Sequence, residues 1–134
     1  MRIEMDYYTI FDNFSRGFWQ EQGDRPNGSK CNLGRFQPRA VTPLVDWDLY
    51  RATNTALERM DYLDRRYFVL TAVGMADGTR YKPHQAIERI HRECLLNMRP
   101  YNRKTIDERF SRLGVIAYQN ELSMTVEKCL NAAI

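Results

Sequence analysis

The sequence predicts an all-α protein, a small bundle of five or six helices with one long irregular loop near residues 21–45. Apolar residues recur at helical spacing before and after that loop, with no convincing sheet pattern. Residues suited to starting helices stand where those runs begin. The glycines and prolines cluster between the runs, most densely at 23–43. At 134 residues the chain is long enough for one domain with its own core, spanning 1–134, and it has no internal repeat or low-complexity tract.

The first helix is expected from about Glu4 to Gln20, because Tyr7, Ile10, Phe11, Phe14 and Phe18 share one helical face. "GDRPNGS" and "LGRFQPRAVTP" then make up the long loop, and loops beyond about 15 residues are usually functional or mobile. Asp46 is placed to cap "WDLYRATNTALERM", whose Leu49, Thr53, Ala56, Leu57 and Met60 lie together. A second cap at Asp61 or Asp64 starts "RRYFVLTAVGMA", apolar nearly all round and therefore central, with a short strand at Tyr67–Val69 as the alternative. "ADGT" at 76–79 reads as a turn. Pro83 suits the first position of the next helix, where Ile87, Ile90, Cys94 and Met98 form a stripe. After the break at 99–102 a basic helix is expected from Arg103 to about Leu113. A terminal helix follows, facing inward with Val115, Tyr118, Leu122, Val126 and Cys129.

Several classes of function are excluded by composition. No apolar run is long enough to span a bilayer. The opening "MRIEMDYYTIFDNF" is too acidic and aromatic for a signal peptide, and the cysteines Cys31, Cys94 and Cys129 show neither a disulfide frame nor a zinc spacing. A cytoplasmic protein with reduced thiols is expected. His84 and His91 are seven apart, two turns along one helix, whereas a helical metal pair needs i, i+4. The carboxylates are scattered, and "RPNGSKCNLG" lacks the phosphate-loop pattern. Neither enzymatic activity nor a metal or cofactor is expected.

Charge is more informative. The formal net charge is only +3, but residues 80–112 hold nine basic side chains against four acidic ones, and the remaining segments are balanced or slightly acidic. Such a local basic block is the footprint of a nucleic-acid contact, with a solvated helix face as the bland alternative. At 100° per residue, a helix centred on Ile106 turns Phe110 and Leu113 inward and Lys104, Glu108 and Ser111 outward. Thr105 and Arg112 lie on one flank, while Arg103 and Arg109 border the apolar face. On the preceding helix Ile87, Ile90, His91 and Cys94 face in, and Gln85, Arg89 and Arg92 face out. Two such helices joined by a short turn fit a helix-turn-helix-like unit at about 83–113. Its expected nucleic-acid contacts are Arg89, Arg92, Arg99, Arg103, Lys104, Thr105, Glu108, Ser111 and Arg112. In the long loop Arg25, Lys30, Arg35 and Arg39, with Phe36 among them, form a weaker candidate for gripping a partner or phosphates.

"ATNTALERMDYLDRRYFVLTAVGMADGTRYKPHQAIERI" followed by "RKTIDERFSRLG" resembles the C-terminal part of phage late-gene antitermination proteins of the Q type, and related sigma-factor region-4 modules. "RKTIDERFSRL" matches their recognition helix best and "HQAIERI" their scaffold helix loosely, while "RECLLNMRPY" between the two departs from the pattern. The resemblance covers about residues 46–114. It implies a protein that binds double-stranded DNA near a late promoter and acts on RNA polymerase so that it ignores terminators. The alternative, from another class, is a small phage or mobile-element protein that inhibits a host nucleic-acid enzyme by surface contact.

Overall fold

The computed structural model describes residues 4–22, 44–74 and 79–133. Among these residues the chain forms six α-helices and no strand: α1 (Tyr7–Glu21), α2 (Trp47–Arg59), α3 (Tyr62–Ala72), α4 (Pro83–Leu96), α5 (Arg103–Arg109) and α6 (Arg112–Ala133). The all-α expectation holds, and Tyr67–Val69 are helical.

α1 begins at Tyr7 and not at Glu4, because the Asp6 carboxylate accepts the N–H groups of Tyr8 and Thr9 at 3.1 and 3.3 Å. Tyr7, Ile10 and Phe14 are buried, whereas Phe11 and Phe18 are only partly covered. Buried Asn13 ties α1 to the start of α2. Its Nδ2 donates to the Asp46 carbonyl at 3.0 Å, and its Oδ1 accepts the Asp46 N–H at 2.8 Å. Asp46 in turn caps α2 by accepting the Leu49 N–H at 3.0 Å, and the expected face from Leu49 to Met60 is buried.

Asp61 is the cap of α3, accepting the Leu63 N–H at 3.1 Å. Asp64 is not a cap: it is fully buried and holds Arg109. In α4, Lys82 N–H donates to Gln85 Oε1, Pro83 takes the first position, and Ala86, Ile90 and Cys94 form the buried face, with Ile87 packed at its edge.

Met98 does not extend that stripe. The helix ends in a Schellman turn, with Arg99 N–H donating to the Cys94 carbonyl and Met98 N–H to that of Leu95. Met98 therefore takes the left-handed position at φ +53°, which swings its side chain out to 90% exposure.

The helix expected over Arg103–Leu113 is two helices. Asn102 caps α5 by accepting the Thr105 N–H at 2.8 Å, and the chain leaves helical geometry at Phe110. The Phe110 ring stacks on Tyr67 with centroids 4.3 Å apart. Ser111 then opens α6, its Oγ accepting the Gly114 N–H and its carbonyl the Val115 N–H. The break turns Leu113 out to 77% exposure, although the single-helix arithmetic faced it inward. A Cβ at Gly114 would lie 2.2 Å from the Arg109 carbonyl oxygen, so only glycine admits this close junction. α6 then runs along α2, burying Tyr118, Leu122, Val126 and Leu130. α1 covers α2, α3 and α6, α4 packs on α3, and α5 bridges α4 to α6. The turn expected at 76–79 falls, except for Thr79, outside the described residues.

Candidate nucleic-acid interface

The basic block divides into cations engaged by neighbouring groups and open cations. Arg89 faces outward, as its helical position requires, but its Nε donates to Glu93 Oε2 at 2.7 Å. Arg66 from α3 reaches the same carboxylate with two hydrogen bonds, each 2.7 Å. Glu93 is thus shared by two guanidiniums, and those of Arg66 and Arg89 hold it below the usual carboxylate range. Arg109 bonds both oxygens of buried Asp64 and also Glu121 Oε1, fastening α5 to α3 and α6. Arg99 lies over the Tyr62 ring, its guanidinium carbon 4.0 Å from the centroid. Arg80 donates to Ser15 Oγ at 2.7 Å and lies over Phe11.

Lys82, Arg92, Arg103, Lys104 and Arg112 remain. All five are exposed, and among the described residues none has a carboxylate within ion-pair distance. Arg92 borders a cleft of about 430 Å³ beside the first turns of α4, which Arg80 and His84 also line. Lys104, Thr105 and Glu108 are exposed on α5. Ser111 and Arg112 are exposed too but sit at the α5–α6 junction and on α6, so they follow a different helix axis. α5 spans seven residues, about two turns. Its outer face therefore offers Lys104, Thr105 and Glu108, with Arg103 at its start. Arg25, Lys30, Arg35, Phe36 and Arg39 lie outside the described residues.

His91 links α4 to α5. Its side chain is almost covered, with Nε2 2.9 Å from Asp107 Oδ1 and Nδ1 3.7 Å from Glu88 Oε1, neither in hydrogen-bond geometry. Among the described residues no group of three or more His, Cys, Asp or Glu side chains could hold a metal ion. None of the helices is long and apolar enough to cross a membrane.

Helical arithmetic shows only one pair of the two ion-pair clusters, Arg89 and Glu93 four residues apart in α4; the contacts between helices were invisible to it. They join residues 27 and 45 positions apart, Arg66 to Glu93 and Asp64 to Arg109. For those contacts the sequence offered little, since Asp64 stands in the first turn of its helix beside Arg65 and Arg66, where an acid also suits a solvated helix start.

Compared with protein-family models, curated proteins and solved structures, the chain matches none.

Proposed function

We propose that the chain is a DNA-binding transcription regulator of the phage antiterminator type, acting in the host cytoplasm on promoter DNA and RNA polymerase through the α4–α5 unit. The supporting observation is the division of cations. Arg66, Arg89 and Arg109 are spent on internal carboxylates, whereas Lys82, Arg92, Arg103, Lys104 and Arg112 are left open to solvent. Open cations gain when they displace condensed counterions from phosphates; paired ones gain little. Lys104, Thr105 and Glu108 are the α5 side chains free to meet base edges.

Selection from a random-sequence duplex library, followed by paired titrations on the enriched and a scrambled duplex, tests this. Four phosphate contacts, from Lys82, Arg92, Arg103 and Arg112, predict a slope of log K against log salt of about −3 to −4. Lys104→Ala should erase the preference for the enriched duplex, while Arg92→Ala should weaken both duplexes alike. No enriched sequence together with a flat salt response would reject the reading. The second reading, inhibition of a host enzyme by surface contact, is favoured by a separate observation. Leu95, Leu96 and Met98 are three neighbouring apolar side chains left 80, 73 and 90% exposed at the end of α4.

A further inference from the structure

We propose that the α4–α5 turn is a docking groove for an acidic amphipathic helix of a protein partner. This goes beyond the DNA reading and stands without it.

Leu95 and Met98 line a groove of about 590 Å³, with Cys94 and Ile106 in its floor and Arg99 and Arg103 also lining it. The lining contains no carboxylate. Exposed apolar side chains rimmed by polar ones mark interaction surfaces. Here the exposure is held in place by backbone geometry. A Schellman turn normally carries glycine at its left-handed position, and this one carries methionine. That choice costs stability and adds an exposed, adaptable apolar side chain where the fold has no use for one.

The rim selects the occupant. Two arginines beside the groove favour carboxylates and oppose cations. The chain's own segment 23–43 carries Arg25, Lys30, Arg35 and Arg39 against a single Asp24, a charge of the wrong sign for this rim. A second copy would meet this face with its own Arg99 and Arg103 in a symmetric contact, again like against like. Phosphates satisfy the arginines but gain nothing from Leu95 or Met98. Among the described residues there is no strand edge to which an extended peptide could add main-chain hydrogen bonds. Side chains must therefore do the reading, as when a helix lays its apolar face into a groove while its acids meet the rim.

The test is a display selection on the full chain from a random library of helix-compatible 16-residue peptides, with the winners labelled and titrated by fluorescence anisotropy. Enriched peptides should be net acidic, with apolar residues at i, i+3, i+4 and i+7. Leu95→Ser and Arg103→Glu should each weaken them roughly tenfold or more. Met98→Gly should weaken binding while raising the melting midpoint, so its loss of affinity cannot be charged to misfolding. Leu95→Ser should leave duplex affinity unchanged. Four results would overturn the proposal: no enrichment, enrichment of basic or uncharged peptides, indifference of the winners to all three substitutions, or loss of duplex affinity in Leu95→Ser, which would make the turn a DNA wedge. Concentration-dependent dimerisation of the wild type that Leu95→Ser abolishes would also overturn it, by giving the face to a second copy.

Discussion

Asp64 and Met98 depart from local preference in opposite directions. Asp64 is a carboxylate with no exposed surface, tolerable only because Arg109 supplies a bidentate partner. Replacing Arg109 by Ala leaves that charge buried and unpaired, a loss of about 3–5 kcal/mol. Arg109→Lys should recover only part of it, since an ammonium cannot reproduce the planar fork. Urea unfolding of both variants checks this, and a loss below 1 kcal/mol for Arg109→Ala would mean that water reaches Asp64. Met98 is the reverse case, an exposed residue in a conformation that glycine adopts freely. Met98→Gly should stabilise the chain by about 1 kcal/mol, set by the left-handed penalty that it removes. Chemical denaturation with an unchanged slope is the measurement.

At the scale of elements, the junction of α5 and α6 decides what the basic block can present. A continuous helix from Arg103 to Leu113 would bring Ser111 and Arg112 onto the same surface as Lys104 and Thr105. The stop at Phe110 confines α5 to seven residues and hands Arg112 to α6. Phe110 leaves the helix to stack on Tyr67, and Gly114 lets the first turn of α6 lie against the carbonyls of Glu108 and Arg109. Gly114→Ala would press a methyl into those carbonyls, which are backbone and cannot swing away. A destabilisation of about 1–3 kcal/mol is expected. It should come with lost amide protection at Val115 and Phe110, the N–H groups that close the junction. Hydrogen exchange checks this, and unchanged protection would show that α6 can shift without harm.

Two sets of titrating groups make the stability of the whole molecule depend on pH. Glu93 is held low, first by its hydrogen bonds from Arg66 and then by Arg89. A carboxylate whose folded value lies below its unfolded one contributes stability that is present above the unfolded value. That stability is lost as the pH falls through the folded one. At the other end, burial pushes Tyr7 and Tyr118 up, and they share a hydrogen bond of 2.8 Å. Groups with raised folded values stabilise below the ordinary tyrosine value of about 10, and that contribution disappears as the pH climbs. The melting midpoint should therefore be level around neutrality, fall below about pH 4.5 and fall again above about pH 10. Glu93→Gln should flatten the acid limb and leave the alkaline one. Equal acid limbs in wild type and variant would show that Glu93 is bridged as weakly in solution as a surface pair.

The helices and most of the core were legible in the sequence, because both follow from rules that act within a few residues. The 3.6-residue period brought Leu49, Thr53, Ala56 and Leu57 onto one face, and Tyr118, Leu122 and Val126 onto another, and both faces are buried. Asp46, Asp61 and Pro83 sit at helix starts, where a side-chain acceptor or a missing N–H suits the backbone. The basic block at 80–112 was equally plain. Which of its cations are open was decided mostly by tertiary structure; only the pairing of Arg89 with Glu93, four residues on in α4, follows the helical period. The carboxylate that neutralises Arg109 comes from another helix, as does the Arg66 that shares Glu93 with Arg89, and no periodicity carries that information. The same holds for the break at Phe110, which depends on a ring 43 positions earlier in α3, at Tyr67. It holds for Leu113 too, whose direction reversed once the chain bent there. Local amphipathicity determines that a residue has an inner or an outer side; the partner waiting on that side is set by how distant helices meet.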